Sequence, residues 1–581
     1  MATAARAPSS ARSTRGQDAR RTALLAAIAV LLGLIGGGAA WVLIHLIGLI
    51  TNLALFHQWG WTIPSFTTLK PNFTLVIAAV LGGLVVSLLA RWSPVIRGHG
   101  IPEAMEAVLT RQSRISPRAA IAKPLSAAIA IGTGGPFGAE GPIIVTGGAI
   151  GSLLGQVIKV TPSERKILLA CGAAAGMAAT FGAPLAAVVL AIELLIFEFS
   201  HRALVPLVVA SSVAGAMHAA LFGPGPLFHV PPHRYAGLDT LPVFLVVGLA
   251  CGLLAVVICK GLFVVEAGFR WLPISEFWHP MLGAVVFATI GLAVPEALGV
   301  GYSAINDILA GRIAVGALAM LMVAKLGAWW AALGSGTSGG TLAPILLISG
   351  AFGSLLGTLT QHLAPGLHIS PGAMALVAMA ATFGAATRAT FTAIVFAFEL
   401  TQDYHAILPI MLATAVADLV AGGLLDHGLM TEKLARRGLK VPLDYAPDYL
   451  GNAFVRDTMT TAVFTLDANA TIEAARALAD RTGHSAFPIV DATGRCVGIV
   501  GRTDLLISDG DGSDPVAPLV NPDVVSVAPD DVLSRAMELI VDEEVEHLPV
   551  LAPDGRLVGI CTRTDILRAR HRFSAEAERR S

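Results

Sequence analysis

Residues 177–183 read Met-Ala-Ala-Thr-Phe-Gly-Ala, and residues 379–385 read the same seven. Other pairs keep this offset of 202. Pro142-Ile143 recurs as Pro344-Ile345, Gly148-Ala149 as Gly350-Ala351, Gly-Ser-Leu-Leu-Gly at 151–155 recurs at 353–357, and Lys123 maps onto Lys325. With a one-residue shift, Gly98-His99-Gly100 maps onto Gly299-Val300-Gly301. Chance does not produce matching of this extent, so the chain contains two related halves, about 75–225 and 275–430. Between 119 and 425 the apolar segments are interrupted by Gly or Pro, and many are too short to cross roughly 30 Å of hydrocarbon. In a membrane, irregular backbone survives only where it is buried in protein or lines a polar cavity. Paired halves with broken helices therefore predict a transport site at the repeat interface, near the bilayer midplane. The repeat by itself does not say whether the halves are inverted.

Composition agrees. The chain has 581 residues, 55% of them hydrophobic and only 14% charged, where a soluble domain carries roughly 25%. Its mean hydropathy is +0.72. So few charges over so long a stretch exclude a soluble enzyme and a nucleic-acid binder. The formal net charge of -1 sums two unlike parts: residues 452–581 hold 21 of the 40 acids and 13 of the 39 Lys and Arg, and the rest hold 19 and 26. A basic membrane domain is followed by an acidic soluble tail. The 61 glycines exceed the roughly 7% of an average protein by about half, as expected where backbones approach one another or an ion. Cys171, Cys251, Cys259, Cys496 and Cys561 form no CxxC pair, which fits a reducing interior and supplies no metal site.

Residues 1–21 carry Arg6, Arg12, Arg15, Arg20 and Arg21 against Asp18 and read as a disordered basic tail. The apolar run from Thr22 to about Leu53 is longer than a signal-peptide core and has no small-residue cleavage site, so it reads as a retained membrane span. A second run covers Phe73 to Ala90. The only charge between Arg21 and Arg91 is Lys70, and Arg91, Arg97, Arg111, Arg114 and Arg118 follow. The positive-inside rule then places the N-terminus and residues 91–118 in the cytoplasm and the 53–70 loop outside. The membrane domain extends over 22–440.

The tail repeats at an offset of 61: Pro488-Ile489-Val490 with Pro549-Val550-Leu551, Gly494-Arg495 with Gly555-Arg556, and Arg502-Thr503-Asp504 with Arg563-Thr564-Asp565. Each unit alternates a helical stretch (471–481; 532–541) with short Val/Ile-rich strands around a Gly-Arg turn. Two small α/β modules are expected, at 452–511 and 515–571, with a short tail at 572–581.

Residues 132–141 read GTGGPFGAEG, followed by Pro142 and an apolar helical stretch. Glu140 thus falls at a helix N-terminus, where unpaired N–H groups and the dipole favour negative charge. It either caps its own helix or stands in an anion site as the protein's own carboxylate, to be displaced by a permeant anion or released on protonation. A charge inside a membrane domain favours the second reading. So does the repeat, because Gly339 to Pro344 (GGTLAP) keeps the glycine turn and helix start but has Leu342 at the equivalent place. Scaffold needs would be shared by both halves. Gly98-His99-Gly100-Ile101-Pro102-Glu103 is a third glycine-flanked helix start, in which His99 is either an N–H donor to an anion or a satisfied core residue.

GHGIPE at 98–103, GAEGP at 138–142, GGTLAP at 339–344 and the helices ending Ile192-Glu193 and Phe398-Glu399-Leu400 together resemble the CLC family of chloride channels and proton-coupled chloride exchangers. The tail resembles a pair of CBS modules. The likeness spans roughly 22–571. It implies an α-helical polytopic fold of two inverted halves with broken helices, plus a cytoplasmic α/β tandem CBS domain. It also implies a homodimer in the lipid bilayer, of bacterial inner or plasma-membrane type, in which each subunit has its own anion path. Glu140 would be the gate. His99, Gly100, Ile101, Pro102, Gly138, Gly141, Gly340, Thr341, Leu342, Ala343 and Met430 would line the path.

Four departures from the family pattern matter. His99 stands where the family usually has Ser, and Met430 where it usually has a Tyr near the end of the domain, so both usual side-chain ligands of the central anion are missing. Leu342 replaces a usual Phe. The exchangers usually carry an inward-facing Glu one position after Glu193, and here that position is Leu194, which cannot relay a proton and leaves Glu193 or water as the candidates for a relay. The expectation is a passive, glutamate-gated chloride channel regulated by CBS domains. The alternative is a proton-coupled antiporter, or transport of fluoride or nitrate. No enzymatic activity, metal, required cofactor or nucleic-acid partner is expected. Nucleotide-binding CBS modules are similar to Gly559 to Asp565, which makes Thr562 and Asp565 candidate contacts for an adenine nucleotide. Thr503 and Asp504 are their counterparts in the first module, where Gly501 replaces the hydroxyl residue. The 15 histidines form no HExxH, which argues against a membrane metalloprotease. The acid-poor core offers little to a hydrated magnesium ion.

Overall fold

The stretch ahead of the first apolar run has no proline after Pro8, and a helix once nucleated in the span propagates through it. The computed structural model describes residues 10–158, 160–197, 199–231, 235, 240–439, 441, 450, 453–508 and 510–580, and its first helix is Ser10–Thr51. The expectation of a disordered tail is therefore corrected for residues 10–21, which are helical; residues 1–9 lie outside the described residues. Arg21 Nε sits 2.9 Å from Glu164 Oε1. Glu164 closes a capping box at the start of the Pro162–Phe181 helix, accepting from the Thr161 amide at 2.8 Å while its own amide donates to Thr161 Oγ1 at 3.2 Å.

Element order repeats across the first unit, Met1–Tyr445. The helices Ser10–Thr51, Phe73–Trp92, Ile101–Thr110, Pro117–Gly132, Glu140–Val157, Pro162–Phe181, Pro184–Ala191 and His201–Phe222 form one series. Leu241–Trp271, His279–Ala293, Tyr302–Leu309, Val315–Gly334, Leu342–Leu363, Pro371–Thr387, Thr390–Thr401 and Ile407–Leu424 form the second. The packing repeats as well. Ser10–Thr51 lies on Pro162–Phe181 and His201–Phe222, and Leu241–Trp271 lies on Pro371–Thr387 and Ile407–Leu424. Seven helices among the described residues are long and apolar enough to cross a membrane, and shorter apolar pieces such as Pro184–Ile196 and Thr390–Thr401 complete the set. These are the broken helices that the Gly and Pro interruptions predict.

Two devices tighten the packing within the halves, and a third joins one half to the other. Glu140–Val157 and Pro162–Phe181 approach so closely that a Cβ on Gly147 would strike the Gly172 carbonyl, and one on Gly172 the Gly147 carbonyl. The repeat-related lysines are buried and do the same task. Lys123 Nζ donates to the Ile96 and Gly98 carbonyls at 2.8 and 2.7 Å, and Lys325 Nζ to Gly299 at 2.8 Å. Finally, the halves cap each other's helices. Glu193 accepts from the amides of Phe391 and Thr392 (3.2 and 3.0 Å) and from Thr392 Oγ1 (2.5 Å), while Glu399 accepts from the amides of Leu185 and Ala186 (2.9 and 2.7 Å).

The second unit, Ala446–Ser581, contains both tail repeats. Strands Leu466–Asp467, Ala486–Val490 and Cys496–Gly501 form one sheet, and His547–Leu551 with Leu557–Thr562 the other, each hairpin turning at its Gly-Arg pair. The helices Ile472–Thr482 and Leu533–Asp542 begin one residue later than the sequence pattern suggests, because Thr471 and Val532 occupy the N-cap positions. Residues 572–580 continue the Arg563–Arg580 helix.

Candidate functional site

Gly138 and Gly340 pair across the halves: the Gly340 amide donates to Gly138 at 2.9 Å and the Gly138 amide to Gly340 at 3.3 Å. Just beyond each glycine a long helix begins, Glu140–Val157 in one half and Leu342–Leu363 in the other, and neither start has a side-chain cap. Two sets of open N–H groups thus converge. The Glu140 carboxylate lies between them, over the glycine pair, where a Cβ on Gly138 or Gly340 would collide with it. Glu140 is 2% exposed, and neither carboxylate oxygen has a hydrogen-bond partner among the described residues. The backbone amides that act on the carboxylate are those of Glu140 and Ala343, one from each helix start. Glu140 closes no capping hydrogen bond on its own helix among the described residues.

That role belongs to Glu103 in the Ile101–Thr110 helix. Glu103 Oε2 accepts from the Gly100 amide at 2.8 Å, and Oε1 lies 3.7 Å from Lys433 Nζ. Gly100 has φ +101°, a conformation that favours glycine, and Pro102 lies in the first turn. The Gly100 amide, expected on the anion path, is therefore already engaged.

Glu140 shares a small enclosed cavity with Ile101, Gly141, Ile144, Met177, Leu190, Thr341, Leu342, Phe383 and Met430. Gly141 admits no side chain, since a Cβ would strike the His99 carbonyl. His99 itself is 2% exposed with Nδ1 unpartnered among the described residues. It lines a separate cavity of about 570 Å³ together with Gly98, Arg97, Glu103, Arg270, Lys433 and Arg436, among others. The structure thus gathers Ile101, Glu140, Gly141, Thr341, Leu342 and Met430 around one void and places His99 in the wall of the larger one. Gly138, Gly340 and Ala343 contribute backbone at the crossing.

Leu194 is 4% exposed within a π-helical turn, Ile192–Ile196. Its neighbour Glu193 is held by the three donors of the second half described above. In the second unit, Thr562 and Asp565 line a cleft of about 290 Å³ with Phe464, His484, His547 and Arg568. Asp565, 8% exposed, accepts from the Thr562 amide and hydroxyl at 2.9 and 2.7 Å. His547 is held below the ordinary histidine range, chiefly by burial, with His484 adding to the effect and Glu546 and Asp565 opposing it. Thr503 and Asp504 are exposed, and Asp504 accepts from the Gly501 amide at 3.1 Å.

The motif reading passed over Met177, Phe383, Tyr302 and Lys433. Met177 and Phe383 had a signal, since they stand in the two copies of the repeated heptapeptide and meet at one cavity. Lys433 and Tyr302 had none, because each reaches its neighbours only through the fold.

Comparison with known proteins follows the same division. The profile described as "Voltage gated chloride channel" matches residues 81–422, and the CBS-domain profile matches residues 455–509 and 516–572. A "Putative chloride channel protein ClcB-like" of Ralstonia nicotianae is 29% identical over 361 residues, 61% of this chain and 83% of that protein. An "H(+)/Cl(-) exchange transporter ClcA" of Vibrio parahaemolyticus is 31% identical over 385 residues, 63% of this chain and 82% of that protein. Among solved structures, a slow cyanobacterial Cl-/H+ antiporter is similar at 26% identity and TM-score 0.63, over 72% of this chain and 98% of that one. A eukaryotic CLC transporter covers 93% of this chain and 97% of its own at TM-score 0.59 and 21% identity, a likeness of fold.

Proposed function

Since the chain belongs to the CLC family of voltage-gated chloride channels and carries two C-terminal CBS domains, we propose that it conducts chloride through a path gated by Glu140. The observation that carries this reading is a buried carboxylate without a hydrogen-bond partner among the described residues, standing at two helix starts that lack a side-chain cap. Burying an unpaired charge costs free energy, and a scaffold gains nothing from it. An anion needs the same N–H groups. It enters from the 570 Å³ cavity past His99 and occupies the void beside Thr341, Leu342 and Met430 only when the carboxylate yields, by electrostatic repulsion or by protonation. With no hydroxyl at positions 99 or 430, the anion is held by backbone N–H groups and the His99 ring.

Conduction is passive in this reading. Leu194 cannot carry a proton, and Glu193, committed to three donors of the Thr390–Thr401 helix, is tied to structure. Proton-coupled exchange is the second reading, favoured by the relatives named as H+/Cl- exchangers. The anion paths come in pairs, in a homodimer spanning 22–440 of each chain, and an adenine nucleotide occupies the cleft at Thr562 and Asp565. Nucleotide binding to the intact protein should be lost in Asp565→Ala.

Liposome reconstitution decides between the readings. Chloride efflux and proton movement are recorded together for the wild type and Glu140→Gln. Efflux without proton movement, faster in acid for the wild type and insensitive to pH in Glu140→Gln, is expected. Proton uptake against its gradient, driven by chloride, would establish exchange instead, and absence of anion flux in both proteins would end the proposal.

A further inference from the structure

Tyr302 opens the Tyr302–Leu309 helix directly after Gly301, whose φ is +88°. Its hydroxyl is buried and has no hydrogen-bond partner among the described residues. A buried tyrosine hydroxyl usually finds a partner, and leaving one without costs free energy comparable to a lost hydrogen bond. The ring is held in place edge-on to Phe228, with centroids 5.9 Å apart, and the Phe228 amide is fixed to the Leu400 carbonyl at 3.0 Å. The charged group within electrostatic range of the phenol is Glu140. Lys325 is the other charge that faces Glu140, and its ammonium is tied to the Gly299 carbonyl at 2.8 Å. Two buried groups of complementary chemistry, a hydroxyl donor and a carboxylate acceptor, thus lie within electrostatic range of each other, each without a hydrogen-bond partner among the described residues.

We infer that Tyr302 is a positioning residue for the gate: its hydroxyl receives the Glu140 carboxylate when an anion takes the space the carboxylate fills in this structure. The inference rests on Glu140 being the gate. The anion then enters without forcing a bare carboxylate into an apolar wall, because the hydrogen bond that the phenol lacks in the closed arrangement forms in the open one. Lys325 is the favourable charge that acts on Glu140. In the first half the equivalent position is Ile101, which lines the enclosed void, so the halves assign an apolar side chain to the anion's place and a hydroxyl to the gate's.

The experiment is chloride efflux from liposomes for wild type, Tyr302→Phe, Glu140→Gln and the double variant. Tyr302→Phe removes one oxygen and keeps the ring. It should slow efflux about tenfold, the scale of one hydrogen bond to a charged group, and leave the rate unchanged when placed in Glu140→Gln. Normal flux in the double variant also shows that the fold is intact. Equal slowing in both backgrounds would mean a structural role and overturn the inference. So would an unaltered rate in Tyr302→Phe alone, with the gate reading left standing if Glu140→Gln still changes efflux. Efflux insensitive to Glu140→Gln would overturn the gate reading and the inference together.

Discussion

Glu103 and Glu140 are both acids in the first turn of a helix, and they do opposite things. Glu103 satisfies the Gly100 amide and neighbours Lys433, so removing it strands a donor and a cation. Glu140 closes no hydrogen bond among the described residues. Glu103→Ala should therefore lower stability by about 1–3 kcal/mol, while Glu140→Gln, which removes a buried charge that closes no hydrogen bond among the described residues, should leave it unchanged or raise it. Thermal unfolding of the detergent-solubilised protein distinguishes these outcomes, and a loss in Glu140→Gln comparable to that in Glu103→Ala would contradict the assignment. His547 gives a prediction of different kind. Its folded form resists protonation because of burial, so below the ordinary histidine range of about 6.5 the unfolded chain binds more protons and the second unit loses stability as pH falls. The protection of the Leu557–Thr562 amides against hydrogen exchange in the intact protein, taken relative to the intrinsic exchange rate at each pH, should fall between neutral pH and pH 5, and His547→Asn should flatten that dependence. The contrast between Glu140 and Leu342 was legible in the sequence because repeats separate what both halves need from what one adds. The use of the Gly100 amide by Glu103 was not, since a capping acid and an anion-facing acid share one spacing.

At the scale of elements, the exchange of caps between Glu193 and Glu399 accounts for how two short helices persist side by side. Pro184–Ala191 has eight residues and Thr390–Thr401 twelve, lengths marginal in isolation. Each ends near a glutamate that satisfies the first amides of the other. Glu193→Ala or Glu399→Ala should each cost about 1–3 kcal/mol, with the glutamine variants retaining part, because an amide oxygen still accepts. Glu193→Gln should also leave chloride flux in liposomes near the wild-type rate, and abolition of flux there would show that Glu193 moves protons or ions and does not serve structure alone. The paired glutamates could be read in the sequence only as helix ends, because the insertion of residues between Ala385 and Thr390 shifts the second copy out of the 202 register. Helix breaks were legible because Gly and Pro act locally; the crossing at Gly138 and Gly340 was not, because it joins residues far apart in the chain.

Across the whole molecule, the arithmetic of charge makes the most exposed prediction. Basic residues flank the first two spans on one side, and only Lys70 stands in the connection between them. The positive-inside rule then puts the 57–72 connection outside the cell and the N-terminus inside, with the acidic CBS unit also cytoplasmic. The chain is suited to a direct test because Cys171, Cys251, Cys259 and Cys561 are buried and only Cys496 is partly accessible. In a Cys496→Ser background, Lys70→Cys replaces an exposed residue of the connection and Ser513→Cys an exposed residue of the second unit. Lys70→Cys should react with a membrane-impermeant maleimide in intact cells, and Ser513→Cys only after permeabilisation. The reverse pattern would invert the topology. It would also move the cavity lined by Arg97, Lys433 and Arg436 to the outer face, so that in the proposed path the anion would pass His99 from outside the cell.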